Sequence, residues 1–201
     1  MPLQNRVTPF GDLVAAPARG LLMGNRGGRL HDDARELRTR RWASKQWICC
    51  LLEFNDRHRD VWGNSYTELF FLDEVTAFAA GHRPCFECRR KNAERFASLF
   101  AGKGRRADAA AMDDRLHGER LNGRAKRLHR RPVDGLPDGA MIALDGEAFA
   151  LKGGRLLPWT PDGYGAARPR PRGDDADVLT PSAIISVLAA GFTPLWHPSA
   201  G

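Results

Sequence analysis

Pro84-Cys85-Phe86-Glu87-Cys88 sets two thiols three positions apart immediately behind a proline, and all four cysteines of the chain lie between positions 49 and 88. Proline fits the first position of a helix, so the spacing predicts a helix opening at Pro84 and running to about residue 100. Thiols three apart in a first turn point the same way, and the free N–H groups and dipole there favour thiolate. Such a pair suits two corners of a tetrahedral zinc site. A redox dithiol has the same spacing but wants a βαβ frame, which is not visible in this chain. Two buried structural thiols are the plain alternative.

A zinc site needs two further ligands. Cys49 and Cys50 are neighbours in an apolar run over 47–54 that reads as a buried strand, so they face opposite sides and only one can bind. Cys50 shares its face with Ile48, Leu52 and Phe54, and Cys49 shares its face with Trp47, Leu51 and Glu53. Alternation alone leaves the choice open. The histidine candidates are His31, His58 and His82, with His31 at the end of the glycine-rich stretch Gly24-Asn25-Arg26-Gly27-Gly28-Arg29-Leu30.

Around these residues the chain has 201 residues, 42% of them hydrophobic, enough for one ordinary domain or two small ones. Its longest apolar run, 47–52, is far short of the roughly 18 residues of a membrane span. The start Met1-Pro2-Leu3-Gln4-Asn5-Arg6 lacks the pattern of a signal peptide. A soluble, cytoplasmic protein with no membrane partner is expected. Further elements follow from local signals. Residues 66–72 read as a strand, and Asp73 caps a short helix that Gly81 stops. Asp145-Gly146-Glu147 turns a hairpin between 141–144 and 148–151. Pro181 opens a last helix that Gly191 ends. The prolines of 163–177 exclude helix or central strand there. The resulting expectation is an α+β chain: a zinc-organised unit over residues 1–102, with short strands and two helices, then a helix-plus-strands unit over 103–201.

The net charge of +7 points toward polyanionic partners, and residues 105–131 carry nine basic against four acidic side chains. That stretch reads as a helix, with Met112 and Leu116 on one face and Leu121, Ala125 and Leu128 continuing it. Arginine predominates, and its planar fork suits phosphate. A solvated helical face is the bland reading. The tryptophans near turns, Trp159 and Trp196, either stack on unpaired bases or close a small core.

The run from Leu69 through Ala79-Ala80-Gly81-His82-Arg83-Pro84-Cys85-Phe86-Glu87-Cys88 resembles the second half of the Ada-type metal-binding domain. That pattern is a strand, a short Ala-rich helix ending in Ala-Gly, an aromatic residue, then Arg-Pro-Cys-x-x-Cys; His82 here takes the aromatic place. In histidine-led relatives a Gly-Asn-Lys-type turn leads to the histidine, which Gly24-Asn25 through His31 is similar to. The resemblance implies Zn2+ held by Cys85, Cys88 and His31, with Cys50 filling the fourth place. It also implies binding to the DNA or RNA backbone and a role in DNA repair or processing. The arginines near the metal, Arg83, Arg89 and Arg90, and those of the basic stretch, Arg120, Arg124, Lys126, Arg127, Arg130 and Arg131, are the expected phosphate contacts. Two other readings are a metal-thiolate enzyme with Cys50 or Cys49 as alkyl acceptor, and an adaptor whose zinc is structural. A zinc deaminase fits less well. His31-Asp32-Asp33 and His58-Arg59-Asp60 end in aspartate rather than the glutamate of its proton shuttle, and His117-Gly118-Glu119 follows the cysteines.

Overall fold

The computed structural model describes residues 1–57, 60–102 and 104–201. It is an α+β structure with two main sheets and four α-helices. The first sheet is built from β1 (Arg6–Val7), β2 (Leu13–Val14), β3 (Leu22–Asn25), β4 (Ile48–Leu51), β5 (Leu69–Phe71) and β6 (Arg83–Pro84), in the order β2-β1-β5-β3-β4-β6. Between β5 and β6 lies α1 (Glu74–Ala79), and after β6 come α2 (Arg90–Ala101) and α3 (Ala109–Arg120). A small hairpin follows, β7 (Leu121–Asn122) with β8 (Ala125–Lys126).

The second sheet contains β9 (His129–Pro132), β10 (Met141–Leu144), β11 (Glu147–Lys152), β12 (Arg155–Thr160), β13 (Gly163–Tyr164), β14 (Arg168–Pro169) and β15 (Asp175–Val178). Its order is β13-β12-β11-β10-β15-β9, with β14 on β12, and α4 (Ser182–Ala189) ends the regular structure apart from a final 3-10 turn. No helix is long and apolar enough to cross a membrane among the described residues.

Several local signals work as read. Asp73 caps α1 by accepting from Thr76 N at 2.8 Å, and Gly81 leaves the helix at φ +84°. Asp145 and Gly146, both at positive φ, turn the β10–β11 hairpin. Pro181 precedes α4.

Three readings are corrected. The basic stretch is not one helix: α3 ends at Arg120, and Leu121, Ala125 and Leu128 lie in or beside the hairpin that Gly123 turns at φ +62°. Pro84 is a strand residue rather than a helix start, and α2 begins only at Arg90. Within 163–177 Pro169 stays at the edge, in β14, and Pro171 lies outside any strand, but Asp175–Val178 pairs on both sides, with β10 and with β9.

The sheets fall on either side of residue 102, whereas the cores cross it. Phe78 and Phe96 pack with Met112, Leu116, Ile184 and Val187 in one cluster, and Leu72, Val75 and Ala79 pack with Met141, Ala150 and Leu157 in another. Trp159 and Trp196 pack against the second cluster, the core-closing alternative for both. Helix α1 therefore has apolar neighbours on both sides and is buried throughout.

Candidate metal centre

Strand pairing explains how Cys50 meets the Cys85–Cys88 pair. β4 and β6 run parallel with Cys49 opposite Pro84, and Cys85 N donates to Cys49 O at 3.0 Å. One residue further along, Cys50 and Cys85 come to the same side of the pair. The chain then turns back through residues 86–89, closed by Arg89 N donating to Cys85 O at 3.1 Å, which returns Cys88 to the same place. The three sulfur atoms lie within 4.8 Å of one another.

These three thiols could hold a metal ion, as three of the four donors of a tetrahedral site. Zn–S bonds of about 2.3 Å in a tetrahedron put sulfurs about 3.8 Å apart, within reach of small inward shifts. Hydrogen bonds from Cys50 and Cys88, with further ones from the backbone, hold the Cys85 thiol far below the ordinary range, while Cys50 is held high as the donor to that thiolate. Glu87 N also points at Cys85 Sγ, at 3.4 Å. A divalent ion bound there would displace the thiol protons.

Cys49 is separate. It lies fully buried on the other face of β4, among Leu22, Leu69 and Phe71, and Arg89 Nη1 donates to its sulfur at 3.2 Å. Burial, chiefly, pushes its thiol above the ordinary range.

The structure leaves His31 out of the thiol cluster. Its Nδ1 meets Thr67 Oγ1 at 2.7 Å, its Nε2 donates to Gly63 O at 2.9 Å, and its ring stacks on Trp62 at 5.1 Å. Both nitrogens are engaged, so the ring braces the glycine loop and is a correction to the expected ligand set. His82 is also a packing residue, lying against Phe71 and Trp47 with centroids at 4.7 and 5.0 Å. Burial keeps it neutral. His58 lies outside the described residues.

The three thiols line a cavity of about 640 Å3 that also receives Glu53, Asp56, Arg57 and Glu87. Arg57 and Glu87 pair at 2.7 Å beside the thiols. No spacing in the sequence signals that pair, because loop and turn meet only in the folded chain.

The basic residues divide into two groups. Arg83, Arg89 and Arg120 are buried and held by the protein: Arg83 by Asp113, Arg89 by Glu74 at 2.7 Å, and Arg120 by the carbonyls of Gly81 and Lys45 at 2.9 and 2.6 Å. They form internal ties, and none presents a free fork to a nucleic-acid backbone, which corrects that expectation. Arg90, Arg124, Arg127 and Arg130 are exposed, Arg131 is half-buried with Nη2 donating to Ser182 Oγ, and Lys126 is half-buried against Ala79 O. Arg124 Nη2 donates to Thr39 O at 2.6 Å, which joins the β7–β8 hairpin to the loop carrying exposed Arg38, Arg40 and Arg41.

Comparison of the chain with protein-family models, with curated proteins and with solved structures finds no match.

Proposed function

We propose that this chain is a zinc-binding protein that engages the phosphate backbone of DNA or RNA, and that it serves DNA repair or processing. The observation that carries the zinc half is the convergence of Cys50, Cys85 and Cys88 within 4.8 Å. Zinc there would tie β4 to the 86–89 turn, so metal binding and folding of this corner would be coupled. The nucleic-acid half rests on the Ada-like run around Cys85 and on exposed arginines. Arg124 on the hairpin reaches Thr39 O in the loop that carries exposed Arg38, Arg40 and Arg41, and Arg127 is exposed just after the hairpin, a set suited to backbone phosphates.

Two other readings predict different results. An alkyl acceptor would gain a single methyl group on a cysteine after exposure to methylated DNA, visible by mass spectrometry. An adaptor would bind no nucleic acid while keeping its metal.

The deciding experiment is titration of a labelled oligonucleotide at increasing salt. The proposal expects log K to fall linearly with log salt, with a slope of about −0.7 to −0.9 per phosphate contacted. Undetectable binding at low salt overturns it.

A further inference from the structure

Trp47 is held between two guanidinium groups, Arg26 at 4.0 Å and Arg120 at 3.9 Å from its ring. Both arginines are about 1% exposed. Neither has a carboxylate in ion-pair range among the described residues. Arg26 donates to Gly11 O at 2.8 Å and Arg120 to main-chain carbonyls, and among the described residues Arg120 Nε has no partner. Lys126, whose Nζ donates to Ala79 O, completes a group of three cations. The three line one cavity of about 300 Å3, with exposed Arg41 and Arg124 also in its wall.

Buried charges are ordinarily paired, because an uncompensated one loses its hydration for nothing. These three repel one another. Burial first, then the neighbouring cations, lowers Arg120 to about 8 and Lys126 to about 7, and burial with Arg41 nearby lowers Arg26 to about 9. Asp12 is the only carboxylate in the cavity wall among the described residues, set against the five cations Arg26, Arg41, Arg120, Arg124 and Lys126.

We propose that this cavity seats a phosphomonoester, the doubly charged terminal phosphate of a nucleotide or of a nucleic-acid end. A phosphomonoester carries about −1.5 to −2 charge at neutral pH, of the sign that offsets this cationic excess. Arg120 Nε, without a partner among the described residues, can donate to its oxygens, and Lys126 keeps hydrogens beyond the one given to Ala79 O. A backbone phosphodiester, with one charge, would offset less of that excess. The inference deepens the nucleic-acid reading, and rests on it only for the source of the phosphate.

Isothermal titration of the full chain tests it, with four probes at matched ionic strength: inorganic phosphate, adenosine 5′-monophosphate, and one short oligonucleotide bearing either a 5′-phosphate or a 5′-hydroxyl. The expected result is that phosphate and the monophosphate bind where chloride does not, and that the phosphorylated oligonucleotide binds about tenfold tighter or more than the hydroxyl form. Lys126→Met and Arg41→Ala should erase that preference, Arg41 being exposed and safe for folding. Arg130→Ala, outside the cavity, should weaken both oligonucleotides alike. If phosphate and the monophosphate bind but neither oligonucleotide does, the pocket stands and the nucleic-acid reading falls. If the two oligonucleotides bind equally and the small probes not at all, the pocket is overturned and the nucleic-acid reading stands. No binding by any probe overturns both.

Discussion

Arg83 holds Asp113 through two parallel hydrogen bonds, Nε to Oδ1 and Nη2 to Oδ2, each 2.8 Å, with both side chains almost wholly buried. The pair bolts α3 to β6, the strand that leads into Cys85. Breaking it by Asp113→Ala leaves a guanidinium buried without its counter-charge and should cost about 3–5 kcal/mol. Urea denaturation checks this, and Arg83→Met with Asp113→Leu should recover most of the loss. A cost below about 1 kcal/mol for the single change would mean that α3 is held by its apolar face alone.

Asp73 ties the start of α1 to β13 and to the C-terminal segment in a similar way. Its carboxylate accepts from Thr76 N and Thr76 Oγ1, both at 2.8 Å, from Tyr164 OH at 2.9 Å and from His197 N at 3.1 Å. Asp73→Ala removes a helix cap and strands a buried phenol hydroxyl, so a loss of at least about 2 kcal/mol is expected. Asp73→Asn should retain part of it. Thermal unfolding monitored by circular dichroism would register the order wild type, Asn, Ala.

The cations of the Trp47 cavity predict a pH dependence. Lys126 titrates at about 7 in the folded chain, depressed by burial and then by Arg120 and Arg26, with Asp12 opposing, against 10.5 when unfolded. Between those values the unfolded chain binds the additional proton, so stability rises with pH across that window and levels off at its lowest below about 7. Arg120 and Arg26 act in the same direction at higher pH. Urea unfolding from pH 7 to 9 should therefore steepen more in wild type than in Lys126→Met, with the thiols common to both. Equal slopes would show that Lys126 has its ordinary affinity for protons.

On the surface, Arg127 and Arg130 are the direct test of backbone contact. Each change to Ala should lower the magnitude of the salt slope by about one and weaken all sequences alike. A loss confined to one sequence would instead indicate reading of bases.

Much of the fold follows from short-range signals, because those rules act within a few residues. Asp73 capping α1, Gly81 ending it and Asp145-Gly146 turning a hairpin are each set by one or two side chains. Gly81 also serves a distant need, since a Cβ there would meet Arg120 Cδ at 2.7 Å. What escapes a local reading is decided across the chain. Arg83 looks like a surface cation until α3 brings Asp113 to it, and Arg26 and Arg120, ninety-four positions apart, meet only on Trp47. Pro84 fits a helix start equally well, but pairing with β4 extends it. That same pairing chooses Cys50 over Cys49, a choice alternation leaves open. His31 occupies a glycine loop suited to a ligand, and the hydroxyl of Thr67 with the carbonyl of Gly63 claims it instead.

The central claim is that Cys50, Cys85 and Cys88 hold one metal ion. Elemental analysis of freshly purified chain, with Cys85→Ser and Cys49→Ser prepared alongside, tests it most directly. One zinc per chain is expected in the wild type, sharply reduced in Cys85→Ser and retained in Cys49→Ser, whose sulfur faces the core. Metal-free wild type that takes up no added zinc, or zinc lost on changing Cys49 but kept on changing Cys85, would contradict it.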